Sequence, residues 1–203
     1  MSSNEKVVIG ITGMPASGKS TAANYLKARS YPVVVMGDFI RNEAKLRGME
    51  PTAEGLGTLM IQLRKEKGPQ VVAQWTIEEI KKLNSPVVVV DGVRSPEEVW
   101  AFRRAFPRFW LLSLDTPHQV RFRRALERER SDDARGIEAF IERERNEITV
   151  GTQLAMSLAN RTIEAKTCEE LEQKVGEFLE VVLRESSASG QGKDLPHGEQ
   201  REG

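Results

Sequence analysis

The sequence predicts a three-layer α/β fold built on a five-stranded parallel sheet, and three observations lead to this prediction. Short runs of β-branched residues alternate with helical segments along the 203-residue chain, an order typical of parallel sheets. The clearest of these runs are apolar throughout, which indicates strands buried on both faces. A glycine-rich loop follows the first run directly and precedes a helix, as ligand-binding loops of such sheets do.

Four of the five predicted strands are mainly apolar runs that end at a polar residue or a turn. The five strands are Val7–Ile11, Tyr31–Met36, Pro86–Asp91, Phe109–Asp115 and the weaker Arg161–Ala165. The run Pro86–Asp91 gives the strongest signal, because four consecutive valines leave no polar face for solvent. The sheet is therefore expected to be covered by helices on both sides.

The predicted helices show apolar residues at helical spacing and recognisable end signals. Ser95 and Pro96 are a typical N-cap and first helical residue, with Glu98 completing a capping box. Asp38 is expected to cap the second helix, and Thr116 with Pro117 the sixth. The helices are predicted at about 20–27, 38–48, 51–67, 70–83, 96–106, 117–130, 136–149 and 167–184.

The order of elements predicts a single domain over residues 1–184. Residues 38–84 form a helical insertion between two strands, too long for a minimal crossover. Residues 121–147 form a helical hairpin with a polar tip. From residue 185 to 203 the chain is rich in Ser, Gly and Glu, a composition typical of a disordered tail.

Composition limits the classes of function. Lys plus Arg and Asp plus Glu both number 30, so no broad nucleic-acid-binding face is expected. No apolar run approaches the roughly 18 residues of a membrane span, and the first run is too short for a signal peptide. The single cysteine, Cys168, excludes a disulfide framework. We expect a cytoplasmic enzyme that acts on small molecules and leave its oligomeric state open.

The loop after the first strand fits the pattern G-x-x-x-x-G-K-[ST] without deviation and is a phosphate-binding loop, or P-loop. Its backbone N–H groups and the following helix N-terminus can hold the phosphates of ATP. Lys19 is expected to reach the β- and γ-phosphates and Ser20 to ligate Mg²⁺. The predicted ATP-binding residues are Gly13, Met14, Pro15, Ala16, Ser17, Gly18, Lys19, Ser20 and Thr21.

Polar residues follow three other strands and are expected to converge on this loop, since parallel strands end at one edge of the sheet. Asp91 is a candidate magnesium ligand, although it can also be a simple strand-end turn residue. Asp38, Arg41 and Arg94 are candidates for binding the phosphate acceptor. Arginine clamps phosphate through two parallel hydrogen bonds; the alternative for either arginine is a surface salt bridge.

The predicted hairpin at 121–147 carries several arginines interleaved with glutamates. Many of these charges are expected to form solvated pairs along the helices. Phosphoryl transfer also needs cations around the transferring group and exclusion of water, and a closing arm with arginines meets both needs. The candidates for this role are Arg124, Arg128, Arg130 and Arg143.

Four motifs of this chain occur in the order seen in nucleoside monophosphate kinases of the adenylate kinase type. They are Gly13–Ser20, Gly37–Arg41, Asp91–Arg94 and Arg130–Asp133. The segments from Asp91 to Ser95 and around Asp132–Asp133 more closely resemble an archaeal adenylate-kinase-related family of uncertain substrate, also described as dephospho-CoA-kinase-like. The resemblance extends over about Val7 to Leu183.

The resemblance implies a P-loop kinase fold with an acceptor-binding insertion at 38–84 and a short lid at 121–147. It also implies that Arg41 and Arg94 bind the acceptor phosphate, that Lys19 and the lid arginines act on the transferring phosphoryl, and that Asp91 lies near magnesium. Three departures limit what is carried over, and one of them is that the lid is too short for the larger lid domain of long-form enzymes. The turn Gly92–Arg94 is shorter than in adenylate kinases, and Glu98 replaces their base-contacting glutamine, so base specificity does not follow.

The expected activity is ATP- and Mg²⁺-dependent transfer of the γ-phosphoryl group to a small phosphorylated acceptor, foremost a nucleoside monophosphate. The paired Arg41 and Arg94 favour an acceptor that already carries phosphate. One alternative is the same chemistry on dephospho-CoA or a nucleoside. Another is an ATP-dependent switch or slow ATPase, since no side chain in the sequence is unmistakably a general base.

Overall fold

The computed structural model describes residues 6–127 and 136–188, and its strands form one parallel sheet. The strands are β1 (Val7–Thr12), β2 (Val33–Val35), β3 (Val87–Asp91), β4 (Arg108–Asp115) and β5 (Arg161–Glu164). Their order in the sheet is β2-β3-β1-β4-β5. This confirms the predicted five-stranded parallel sheet.

Helices cover both faces of the sheet. They are α1 (Lys19–Lys27), α2 (Met36–Leu46), α3 (Ala53–Lys67), α4 (Val71–Lys82), α5 (Pro96–Ala105), α6 (His118–Leu126), α7 (Gly136–Val150), α8 (Thr152–Ser157) and α9 (Cys168–Ala188). Successive strand residues point to opposite faces, so Val8 packs with α2, α4 and α5 while Val7 and Ile9 pack with α1 and α9. The two cores confirm the three-layer architecture. No helix in the described part of the chain is long and apolar enough to cross a bilayer.

The structure corrects the predicted capping role of Asp38. β2 ends at Val35 and α2 begins at Met36, so Asp38 lies inside the first helical turn. Val35 is the N-cap residue and has no side-chain cap hydrogen bond. The apolar run Val33–Met36 gives no sign of where extended backbone becomes helical, which is why the boundary was misplaced.

Other boundaries also differ from prediction. Pro117 is the N-cap of α6. The hydroxyl of Thr116 donates to the Ser17 carbonyl oxygen and does not cap this helix. The short helix α8 was not predicted. α9 continues through Ala188, four residues beyond the expected end of the domain. Residues 189–203 lie outside the described part of the chain, so the disordered tail stays a prediction.

The topology places three polar segments at one edge of the sheet. β1 lies between β3 and β4, with Ile11 opposite both Asp91 and Leu112, and the chain leaves β1 through the P-loop. β2 pairs with β3 so that Val35 also lies opposite Asp91. In open parallel sheets, ligands bind beyond the carboxyl ends of the strands where the strand order reverses. The P-loop, the start of α2 and the β3–α5 turn all begin there.

Candidate active site

The P-loop has a backbone conformation that depends on its glycines. Gly13 has φ 149°, and a Cβ there would lie 2.5 Å from Ser17 Oγ and 2.8 Å from the Leu114 carbonyl oxygen. Ala16 has a positive φ of 61° and Gly18 one of 104°, so the loop is tightly curved. Gly18 is the N-cap residue of α1 and has no side-chain cap. The first N–H groups of α1 therefore suit phosphate oxygens.

Two side chains hold the loop from behind. Thr116 Oγ1 donates to the Ser17 carbonyl oxygen at 3.1 Å. Buried Arg121 donates to the carbonyl oxygens of Thr116 (2.9 Å) and Pro15 (3.3 Å) and pairs with Glu144 of α7. Because Arg121 is committed to these contacts, it is a structural support of the loop. Arginine-rich composition alone gave no means of separating it from its neighbours.

Lys19 is half-buried at the base of the P-loop. Its Nζ donates to the carbonyl oxygens of Gly13 (2.6 Å) and Met14 (3.0 Å). Burial lowers the pKa of Lys19 from 10.5 to about 8, and the carboxylates of Glu147 and Asp91 limit the fall. The side chain thus carries its charge at neutral pH, where it can pair with phosphate.

Ser20 and Asp91, the candidate magnesium ligands, border the same cavity as Lys19. Asp91 is 8% exposed at the end of β3. Among the described residues, no three His, Cys, Asp or Glu side chains form a metal cluster. Mg²⁺ usually takes one or two protein oxygens and completes its shell with water and substrate phosphates. A hydroxyl and a carboxylate beside a phosphate cradle fit that requirement.

The turn between β3 and α5 places Arg94 at the same edge. Gly92 has φ 99°, and a Cβ there would lie 2.9 Å from Arg94 Nη1. Arg94 Nη1 donates to the Gly92 carbonyl oxygen, and Nε donates to Glu147 Oε1, both at 2.9 Å. The Arg94 backbone N–H donates to Glu98, whose other oxygen pairs with Arg64 of α3. Both oxygens of buried Glu98 are thus committed to protein groups, unlike a base-contacting glutamine.

Glu147 is a site residue that sequence reasoning missed. It is 5% exposed on α7, and its Oε2 accepts from Thr152 Oγ1 at 2.8 Å. Burial alone would raise its pKa, but Arg94, Lys19 and the two hydrogen bonds lower it to about 2. In the sequence it is one of many glutamates among arginines. Helical spacing did not reveal which of them faces the interior.

A second cavity adjoins the phosphate cradle, between α2, α3 and α7. Its apolar wall comes from Ile40, Leu56 and Met60. Its polar side chains are those of Arg41, Arg94, Arg143, Asn146 and Glu147. Gly37, Arg41, Arg94, Arg143 and Glu147 border both this cavity and the P-loop cradle. The two spaces therefore meet at three arginines and one carboxylate.

The structure brings together several predicted acceptor-side residues. Arg41 donates to Asp38 at 2.7 Å in a largely exposed pair, a contact worth little to stability. Asp38 borders a neighbouring groove with Arg41, Ser20 and Asp91. Arg143 borders both cavities. The binding roles assigned to these side chains stay predictions.

Part of the predicted lid lies outside the described residues. Arg128, Arg130 and Asp132–Asp133 fall in the gap between α6 and α7. Arg124 is described: its Nη1 lies 3.9 Å from the position that a Cβ on Gly18 would take. Arg124 is thus close to the P-loop, as a donor-side arginine requires. The roles of Arg128 and Arg130 stay predictions.

Comparison with known proteins agrees with this architecture. A family profile described as an AAA domain matches residues 9–149. A shikimate kinase from Acinetobacter baumannii, in complex with shikimate, has the same fold with a TM-score of 0.56 and 16% identity. The alignment covers 90% of this chain and 96% of that one. The fold and the P-loop together define the class: proteins with a P-loop and an α/β fold like that of the shikimate kinase.

The relatives identify the family within that class. A UPF0200 protein of Methanoregula boonei is 37% identical over 88% of this chain and 98% of its own length. A UPF0200/UPF0201 protein of Archaeoglobus fulgidus is 42% identical over 86% of this chain, which spans 55% of that longer protein. The chain belongs to the UPF0200 family.

Proposed function

We propose that the protein is an ATP- and Mg²⁺-dependent phosphotransferase that moves the γ-phosphoryl group to a small phosphorylated acceptor, a nucleoside monophosphate. The observation that carries this proposal is the meeting of two cavities at shared side chains. A P-loop cradle and a partly apolar cavity both border Arg41, Arg94 and Arg143. An enzyme with two phosphorylated substrates needs cations where the substrates meet.

The donor half of the site is formed by Gly13–Thr21. Its N–H groups and Lys19 bind the triphosphate, and charged Lys19 pairs with the β- and γ-phosphate oxygens. Ser20 and Asp91 hold Mg²⁺, which offsets phosphate charge when bound. Arg124 and Arg143, with Arg128 and Arg130, supply positive charge around the transferring group. Such charges stabilise phosphoryl transfer without a strong general base.

The acceptor half is the cavity between α2, α3 and α7. Its apolar wall of Ile40, Leu56 and Met60 suits a flat, weakly polar group such as a nucleobase. Arg41 and Arg94 bind the acceptor phosphate at the end next to the P-loop. Asp38 helps to place Arg41 through their ion pair.

A hydroxyl-bearing acceptor, such as a nucleoside or dephospho-CoA, is a second candidate. It is favoured by one observation: Arg94 is already paired with the buried carboxylate of Glu147. A neutral acceptor group avoids the repulsion between that carboxylate and an acceptor phosphate. Cytoplasmic location and a small-molecule acceptor as the partner stay predictions.

The test is a transfer assay with γ-labelled ATP, Mg²⁺ and separate acceptors: nucleoside monophosphates, nucleosides and dephospho-CoA. We expect label on a nucleoside monophosphate, with loss of transfer when Mg²⁺ is omitted. Label only on a nucleoside or dephospho-CoA would favour the second candidate. Release of inorganic phosphate alone, with no labelled acceptor, would contradict both and support a switch or slow ATPase.

A further inference from the structure

Glu147 occupies an unusual position in the candidate site. It is buried and borders both the phosphate cradle and the acceptor cavity. Its Oε1 accepts from Arg94 Nε at 2.9 Å, and its Oε2 accepts from Thr152 Oγ1 at 2.8 Å. A buried carboxylate repels phosphate, so its presence in a site for polyanions needs an explanation. The contacts of Glu147 provide one.

We propose that Glu147 is a positioning residue of the acceptor subsite, which acts by fixing the guanidinium of Arg94. The inference rests on the proposed function, because it assigns to Arg94 the binding of an acceptor phosphate. Glu147, on α7, would thus control this subsite through its contact with Arg94.

The hydrogen bonds of Arg94 explain how Glu147 acts. An arginine has five N–H donors in a rigid plane. Nε is taken by Glu147, and one N–H of Nη1 by the Gly92 carbonyl oxygen. Because Nε and Nη1 lie on opposite sides of the guanidinium, these two contacts determine its plane. The three remaining N–H donors on Nη1 and Nη2 can then bind a phosphate in the two-point manner that arginine favours.

Glu147 is itself held rigidly. Its partner Thr152 is fully buried at the start of α8. Gly151, with φ 103°, separates α7 from α8, and a Cβ there would lie 3.2 Å from Pro96 Cδ. Pro96 begins α5 directly after the Arg94 turn. The carboxylate and the arginine are therefore anchored to the same part of the core, as preorganised binding requires.

A purely structural ion pair predicts a different outcome from a positioning residue. If Glu147 only stabilises the fold, its removal weakens the binding of all ligands equally or of none. If it positions Arg94, its removal weakens only the binding of the phosphate that contacts Arg94, and only while Arg94 is present. A double-mutant cycle separates these two cases.

The experiment measures the dissociation constants of ATP and adenosine 5′-tetraphosphate by calorimetry in the presence of Mg²⁺. The fourth phosphate extends beyond the γ position towards the acceptor subsite, so the ratio of the two constants reports that subsite without a known acceptor. The proteins are the wild type, Glu147→Ala, Glu147→Gln, Arg94→Met and the Glu147→Ala/Arg94→Met double variant. Glu142→Ala is the matched control, since Glu142 is an exposed glutamate of α7.

We expect Glu147→Ala to reduce the preference for the tetraphosphate about tenfold, the usual size of a lost charged hydrogen bond. ATP affinity should change much less. Glu147→Gln should restore most of the preference, because its amide oxygen can accept from Nε. In the Arg94→Met background, Glu147→Ala should have no further effect. Glu142→Ala should match the wild type.

Circular dichroism shows whether each variant folds. Glu147→Ala leaves the half-buried Arg94 without its ion-pair partner, a loss that destabilises a fold. Should it fail to fold, Thr152→Val replaces it. That variant frees Oε2 without removing the charge, and it should reduce the preference severalfold in the wild type and leave it unchanged in the Arg94→Met background.

Two results would overturn the inference. One is an equal loss of tetraphosphate preference with and without Arg94. The other is an unchanged preference in Glu147→Ala, or in Thr152→Val where that variant replaces it. If the wild type does not bind ATP at all, the proposed function fails and the inference fails with it. If the wild type binds ATP normally but the variant keeps the wild-type preference for the tetraphosphate, only the inference fails.

Discussion

Lys19 gives the site a pH dependence whose direction follows from its surroundings. Burial lowers the pKa of this lysine from 10.5 to about 8. A triphosphate beside it must raise that pKa again, because anions favour the charged form. Above pH 8 the free protein has a neutral Lys19, so binding must then take up a proton. The loss of charge therefore weakens nucleotide binding at alkaline pH.

We predict that the ATP dissociation constant rises as pH increases from 7 to 9.5, with a break near pH 8. Calorimetry in two buffers of different ionisation enthalpy should show net proton uptake on binding at about pH 8.5. In Lys19→Met both the break and the uptake should disappear. An unchanged break in that variant would show that another group titrates.

Among individual residues, those that belong to a sequence motif could be predicted. Those whose role depends on tertiary contacts could not. Lys19 and Gly13 were predicted because the P-loop fixes their spacing. Glu147 and Arg121 were not, since a charged residue in a charged helix has the same local pattern whether it faces solvent or a cavity. Only the packing of α7 and α6 on the core separates them from their neighbours.

The turn between β3 and α5 is the element on which the proposed acceptor subsite most depends. Gly92 has φ 99°, and its missing Cβ leaves room for the guanidinium of Arg94. Gly68, between α3 and α4, has a similar φ of 93° with no atom near its Cβ position. Substitution of either glycine would therefore strain the backbone. Only at Gly92 would the new Cβ also clash with a site residue.

We predict that Gly92→Ala and Gly68→Ala each lower the free energy of unfolding by about 1–3 kcal/mol, the usual cost of such a backbone conformation. Gly92→Ala should also raise the KM for the acceptor at least tenfold, because it displaces Arg94. Gly68→Ala should leave the KM unchanged. Urea unfolding and steady-state kinetics measure the two effects; equal KM values in both variants would contradict this role of the turn.

The elements themselves were predicted to different degrees. β1 and β3 were clear because strands buried on both faces are continuous apolar runs. α8 was not predicted, since a six-residue helix has too few turns for a periodic pattern. The join of β2 and α2 was misplaced because valines and a methionine continue across it. α8 nevertheless carries Thr152, the hydroxyl partner of Glu147.

At the scale of the whole molecule, function depends on bringing distant segments to one edge of the sheet. Lys19, Arg94 and Arg143 are far apart in sequence, yet they border one cavity. Strand alternation predicted the convergence of the first two, because parallel strands share an edge. It did not predict how α7 crosses the edge, since that depends on packing of α7 against α3. The cavity between α2, α3 and α7 lies at that contact.

The most direct test of the central claim is a single-turnover assay of label transfer from ATP to the acceptor found in the panel, in three proteins. They are the wild type, Lys19→Met and Lys45→Met, an exposed lysine of α2 that serves as the charge-matched control. The account predicts transfer in the wild type and Lys45→Met, and a loss of at least about a hundredfold in Lys19→Met, since cationic stabilisation of the phosphoryl group is typically worth that much or more. Transfer at the wild-type rate in Lys19→Met would contradict it.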